Sequence, residues 1–98
     1  MKRHGGWRDN PRPKKSKKYA AGYRFEVRYI IEASDLTVQL REYLSTALPP
    51  GSFKMSDQGR HFLQQPVVWL KDEASLIVLR FADLGEVFRM YRLVPQNS

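Results

Sequence analysis

His4 and His61 are the side chains best suited to proton transfer or metal binding, and neither has a companion at a spacing that zinc coordination uses. The sequence has no cysteine, so disulfides, thiolate chemistry and Cys-based zinc sites are excluded. Asp72 and Glu73 are adjacent, but a helix cap followed by a first-turn acid accounts for both, and Asp35 has the same explanation. Ser34, Ser45 and Ser75 belong to no nucleophile elbow, and no glycine-rich loop is present to cradle a phosphate. Arg60-His61 beside Gly59 is the one pair that fits metal-independent hydrolysis, with His61 as general base. A lone histidine near a turn is more simply a solvated residue. The expectation is a protein that is not an enzyme and uses no cofactor or metal.

Positive charge is the stronger signal. Lys2, Arg3, Arg8, Arg12, Lys14, Lys15, Lys17 and Lys18 precede Gly22 against Asp9 alone, so this stretch carries the whole formal net charge of +7. The nine basic and nine acidic residues that follow cancel. Residues 1–22 combine like charges, Gly5, Gly6, Pro11 and Pro13 with no hydrophobic period, and read as a disordered cationic N-terminal tail. Lysines and arginines that reach phosphates release counterions, and Trp7 and Tyr19 offer rings for bases to stack on. The tail therefore points to nucleic acid, DNA or RNA, or to an acidic protein surface. Pro13-Lys14-Lys15-Ser16-Lys17-Lys18 also matches a short, degenerate nuclear-localisation pattern. Apolar runs such as Leu76 to Leu79 are far below membrane-spanning length, and no apolar region follows the basic start as in a secretory signal. No membrane partner and a cytoplasmic location are expected.

A single α+β domain is expected over residues 23–98. Tyr23, Phe25, Val27, Tyr29 and Ile31 alternate with mostly polar residues, a strand with one buried face. Ser34 and Asp35 offer a cap for a helix over 35–48 with Leu36, Leu40, Tyr43, Leu44 and Ala47 at helical spacing, stopped by Pro49-Pro50-Gly51. Phe53 and Met55 suggest a short strand, and Asp57-Gln58-Gly59 a turn into a second strand over 61–71, with Pro66 marking an edge, a bulge or its true start. Asp72 caps a second helix with Ala74, Ile77, Val78 and Phe81 on one side and Gly85 as its stop; the apolar, β-branched stretch 75–81 also reads as strand. The last strand, 86–94, sets Phe88, Met90 and Val94 on one side and Val87, Arg89, Tyr91 and Leu93 on the other. The order β-α-β-β-α-β is that of a ferredoxin-like split sandwich: a four-stranded antiparallel sheet with both helices on one face.

In that layout the last strand lies beside the first, so Arg24 and Arg28 share the solvent face with Arg89 and Tyr91. Trp69 is read first as core, and as part of this face if its register points outward. Basic residues interleaved with aromatics are how RNA-recognition modules hold single strands, although their Gly-Phe-rich signature is absent. A plainer reading pairs Glu26 and Arg28 with cross-strand neighbours.

The segment Trp69-Leu70-Lys71-Asp72-Glu73-Ala74-Ser75-Leu76-Ile77-Val78-Leu79-Arg80-Phe81 resembles a stretch found in small uncharacterised proteins of tailed bacteriophages. The resemblance implies no particular activity. It implies a phage accessory protein, a class whose members bind and redirect host machinery. Two functions are expected on this basis. The first is non-enzymatic nucleic-acid binding through Lys2, Arg3, Trp7, Arg8, Arg12, Lys14, Lys15, Lys17, Lys18, Arg24, Arg28, Arg89 and Tyr91. The alternative is a phage-encoded module that modulates a host protein complex. An exposed apolar patch of Ile30, Trp69, Tyr91 and Leu93 would favour the second; separated arginines would favour the first. The layout also admits a homodimer through edge strands or sheet faces.

Overall fold

The computed structural model describes residues 12–31, 34–56, 59–60, 63–82 and 86–97. It is an α+β fold with a five-stranded mixed sheet and two helices. The alternation after Tyr23 forms β2 (Phe25–Ile30), which turns Val27 and Tyr29, and beyond its end Ile31, into the core. β2 pairs antiparallel with β6 (Val67–Leu70) and with β7 (Glu86–Pro95), and β6 pairs antiparallel with β3 (Phe53–Ser56). The registers Val27↔Val68 and Val27↔Met90 extend one apolar layer across the sheet.

Both helices cover that layer. α1 (Ser34–Ala47) buries Leu40 and Leu44, and α2 (Glu73–Arg80) buries Ser75, Leu76 and Leu79. Asp72 caps α2, its Oδ1 accepting from the Ser75 N–H at 2.8 Å. This bond selects helix over strand for a segment whose composition suits either. The same bond from the Ser75 backbone holds the Asp72 carboxyl below its ordinary value. Tyr43 Oη donates to the Val78 carbonyl at 2.9 Å and ties the two helices together.

The sheet is not the expected four-stranded antiparallel one. Arg12–Ser16, expected to be disordered tail, forms a fifth strand, β1, parallel to β7, in the order β1-β7-β2-β6-β3. Lys17–Tyr19 continues as a 3-10 turn capped by Ser16, whose Oγ accepts from the Lys18 N–H at 3.0 Å. Gly22, at φ 103°, then turns the chain into β2. The folded body thus begins by Arg12, and residues 1–11 lie outside the described residues.

Three further expectations change. The strand predicted over 61–71 is a short pair, β4 (Gly59–Arg60) and β5 (Leu63–Gln64), followed by β6. β6 starts only after Pro66, whose carbonyl accepts from the Tyr29 N–H at 3.0 Å. Val87 faces the core rather than sharing a side with Arg89, because the register jumps from Arg28↔Arg89 to Tyr29↔Val87. This bulge inserts one residue and reverses the alternation. On α2 the buried stripe is Ser75, Leu76 and Leu79, while Ala74, Ile77 and Phe81 are exposed. The expected Gly85 stop lies outside the described residues, and Phe81 occupies the C-cap.

Candidate nucleic-acid interface on the open sheet face

The alternation that sends Val27 and Tyr29 to the helices puts Glu26 and Arg28 on the opposite face. Cross-strand registers build a row there: Lys54 (β3), Trp69 (β6), Glu26 (β2), Tyr91 (β7) and Arg12 (β1). Arg28 and Arg89 form part of the next row. With strands about 4.8 Å apart, the Trp69 and Tyr91 backbones lie roughly 10 Å from each other, with Glu26 between them.

Glu26 organises the face and is 2% exposed. Its Oε2 accepts from Lys14 Nζ and from Arg28 Nε, each at 2.7 Å, and its Oε1 accepts from Trp69 Nε1 at 2.9 Å. Burial alone would push this carboxyl up. The bonds from Lys14, Arg28 and Trp69, with the nearby Lys14 charge, outweigh burial and hold it below its ordinary value. A buried anion is tolerated here because every donor it needs is supplied. Lys14 reaches Glu26 from two strands away, with Nζ 5.0 Å from the Tyr91 ring centre. Arg28 sits 6.0 Å from the same ring, and Lys18 Nζ lies 4.5 Å from the Trp69 ring centre. Arg24 stacks at 3.8 Å on Tyr19 and donates to the Tyr19 and Tyr23 carbonyls, each at 3.0 Å.

Of the residues chosen from sequence, Arg12, Lys14, Lys18, Arg24, Arg28, Arg89 and Tyr91 share this face. Lys15 alternates to the other side of β1, and Lys17 is exposed on the 3-10 turn. Lys2, Arg3, Trp7 and Arg8, like His4 and His61, lie outside the described residues. Sequence reasoning does not reach Lys54 and Glu26 as site residues, and it puts Trp69 on this face only if its register points outward. The alternation of Phe53 and Met55 around Lys54 is the available signal for the first. The Trp69 position depends on register, and its polar Nε1 is satisfied by Glu26 rather than by a core acceptor.

The described acids are segregated, although Arg41, Lys71 and Arg80 put cations on or beside the helices as well. Among the side chains described on the open face Glu26 is the only acid, whereas Asp35, Glu42, Asp72 and Glu73 belong to the helices and their caps. At one end of the sheet an open cleft of about 690 Å³ brings Arg24, Lys71 and Arg92 together with Asp72 and Glu73, a mixed rather than cationic lining. Among the described residues no group of three His, Cys, Asp or Glu could hold a metal, and no helix is long and apolar enough to cross a membrane. No protein-family model matches the chain, and neither does any curated protein or solved structure.

Proposed function

We propose that the protein is a non-enzymatic accessory protein that binds single-stranded nucleic acid on the open face of its sheet. The observation that carries this reading is the row Lys54–Trp69–Glu26–Tyr91–Arg12, two aromatics flanked by cations on a face whose one described acid is already neutralised. Stacking needs unpaired bases, so single strands suit this face better than duplex. The strands β7-β2-β6-β3, each antiparallel to the next, support a ferredoxin-like core to which β1 is added. Its site of action is the cytoplasm, that of a bacterial host if the phage resemblance around residues 69–81 reflects origin.

Titration with single-stranded and duplex oligonucleotides over a salt series tests the reading. Single strands should bind more tightly than duplex, and Trp69→Leu should cost about 1–3 kcal/mol without changing the salt slope. Equal affinity of the parent and Trp69→Leu would refute it.

One observation favours the phage-encoded protein-interaction module instead. Ile77 and Phe81, one turn apart on α2, are 53% and 78% exposed. The sheet offers no such patch, because Leu93 is buried and Lys14 and Lys18 cover Tyr91 and Trp69. Absence of any oligonucleotide binding, with capture of a host protein that Phe81→Ser abolishes, would establish this alternative; oligonucleotide binding without such capture would dismiss it.

A further inference from the structure

Two lysines occupy the positions that stacked bases would take. Lys18 Nζ is 4.5 Å from the Trp69 ring centre and Lys14 Nζ is 5.0 Å from that of Tyr91. Cations and bases are attracted to the same ring faces, so lysine and base exclude one another there. Both lysines come from one short segment, residues 12–19, that joins the sheet at its edge beside β7, turns at the end of that strand and leads on to β2. Their attachments differ. Lys14 is anchored by its 2.7 Å ion pair to buried Glu26, whereas the Lys18 ammonium has no carboxylate partner among the described residues.

We propose that residues 12–19 cap the aromatic face, and that single-stranded nucleic acid binds by displacing Lys18 from Trp69 and stacking a base in its place. The inference rests on the open face being the nucleic-acid interface. It makes Lys18 a competitor for the ring before binding and a phosphate ligand afterwards. A purely electrostatic arm has only the second role, so the two descriptions differ in the sign of one measurable effect.

The chain has two tryptophans, and Trp7→Phe leaves Trp69 as the sole reporter. In that background, full-length protein and its Lys18→Ala and Lys18→Arg variants are titrated with single-stranded oligothymidylate, following Trp69 quenching across a salt series. The logarithm of the binding constant is extrapolated along its line to about 1 M salt, where counterion release contributes nothing. Lys18→Ala should bind about 2- to 5-fold more tightly than the parent at that intercept, the worth of an exposed cation–π interaction. Its slope should be shallower by about 0.7, because one fewer cation meets a phosphate. Lys18→Arg should match the parent. An intercept for Lys18→Ala equal to or weaker than that of a binding parent overturns the cap and leaves the interface standing. No binding by any of the three proteins removes the interface, and the cap with it.

Discussion

Replacing Glu26 by glutamine isolates what the buried carboxylate contributes, because size and shape are kept while the charge is removed. The amide oxygen can serve Trp69 Nε1 or the cations, and its NH₂ group then faces donors wherever it points. Two bonds from charged donors, Lys14 and Arg28, weaken from carboxylate-type to neutral-acceptor strength, a loss of about 1 kcal/mol each. The Lys14 and Arg28 side chains are 32% and 38% exposed, so both recover some hydration and the net cost falls to about 1–2 kcal/mol. In a domain of this size that lowers Tm by roughly 5–15 °C. The loss also depends on pH. The folded carboxyl titrates below its ordinary value, since its donors outweigh burial. Its stabilisation is therefore complete above the ordinary carboxylate range and disappears as pH falls through the lowered folded value. Urea unfolding of parent and variant from pH 7 downward should show a gap that is widest near neutrality and closes below about pH 4. Equal stability at pH 7, or a gap indifferent to acid, would refute this account of the network.

Arg12→Gln and Lys54→Gln, at the two ends of the cross-sheet row, should each make the single-strand salt slope shallower by about 0.7, while leaving Trp69 quenching at saturation unchanged. A slope that stays constant would show that neither end of the row meets a phosphate. Asp72→Ala should destabilise the protein by about 0.5–2 kcal/mol and Asp72→Asn by much less, measured by thermal melts at pH 7. Equal losses would mean that charge rather than the cap bond to Ser75 holds the start of α2.

The parts of the fold legible in sequence are those with a strong local period. Phe25, Val27 and Tyr29 announce β2, Leu40 and Leu44 announce α1, and Asp72 marks the start of α2. β1 has no such period, since Arg-Pro-Lys-Lys-Ser contains no large apolar residue. It is a strand because the β7 ladder is available and because Lys14 finds Glu26, both consequences of tertiary structure. The bulge opposite Arg28 and Tyr29 likewise leaves no local mark, so simple alternation puts Val87 on the wrong face. Arg24, Arg28, Arg89 and Tyr91 do come together as alternation implies, because period 2 and the position of the last strand suffice for that. Charge counting alone hides the rest. The neutral sum over residues 23–98 conceals a sheet face on which, among the described side chains, cations surround the single acid Glu26.

The place of β1 also changes how a shortened chain should be understood. β7 is ten residues long and carries Met90, Tyr91, Leu93 and Val94 towards its end, interrupted only by Arg92. A long strand with an open ladder and apolar side chains invites a second chain to pair with it. β1 closes that ladder with a five-residue strand that carries Pro13, which has no N–H to donate, and the exposed Lys15, which resists close approach of another copy. Residues 12–16 are thus a border that keeps the sheet from growing. Cutting the chain at Tyr23 to remove positive charge would also strip this border, deprive Glu26 of Lys14 and uncover a surface suited to self-association.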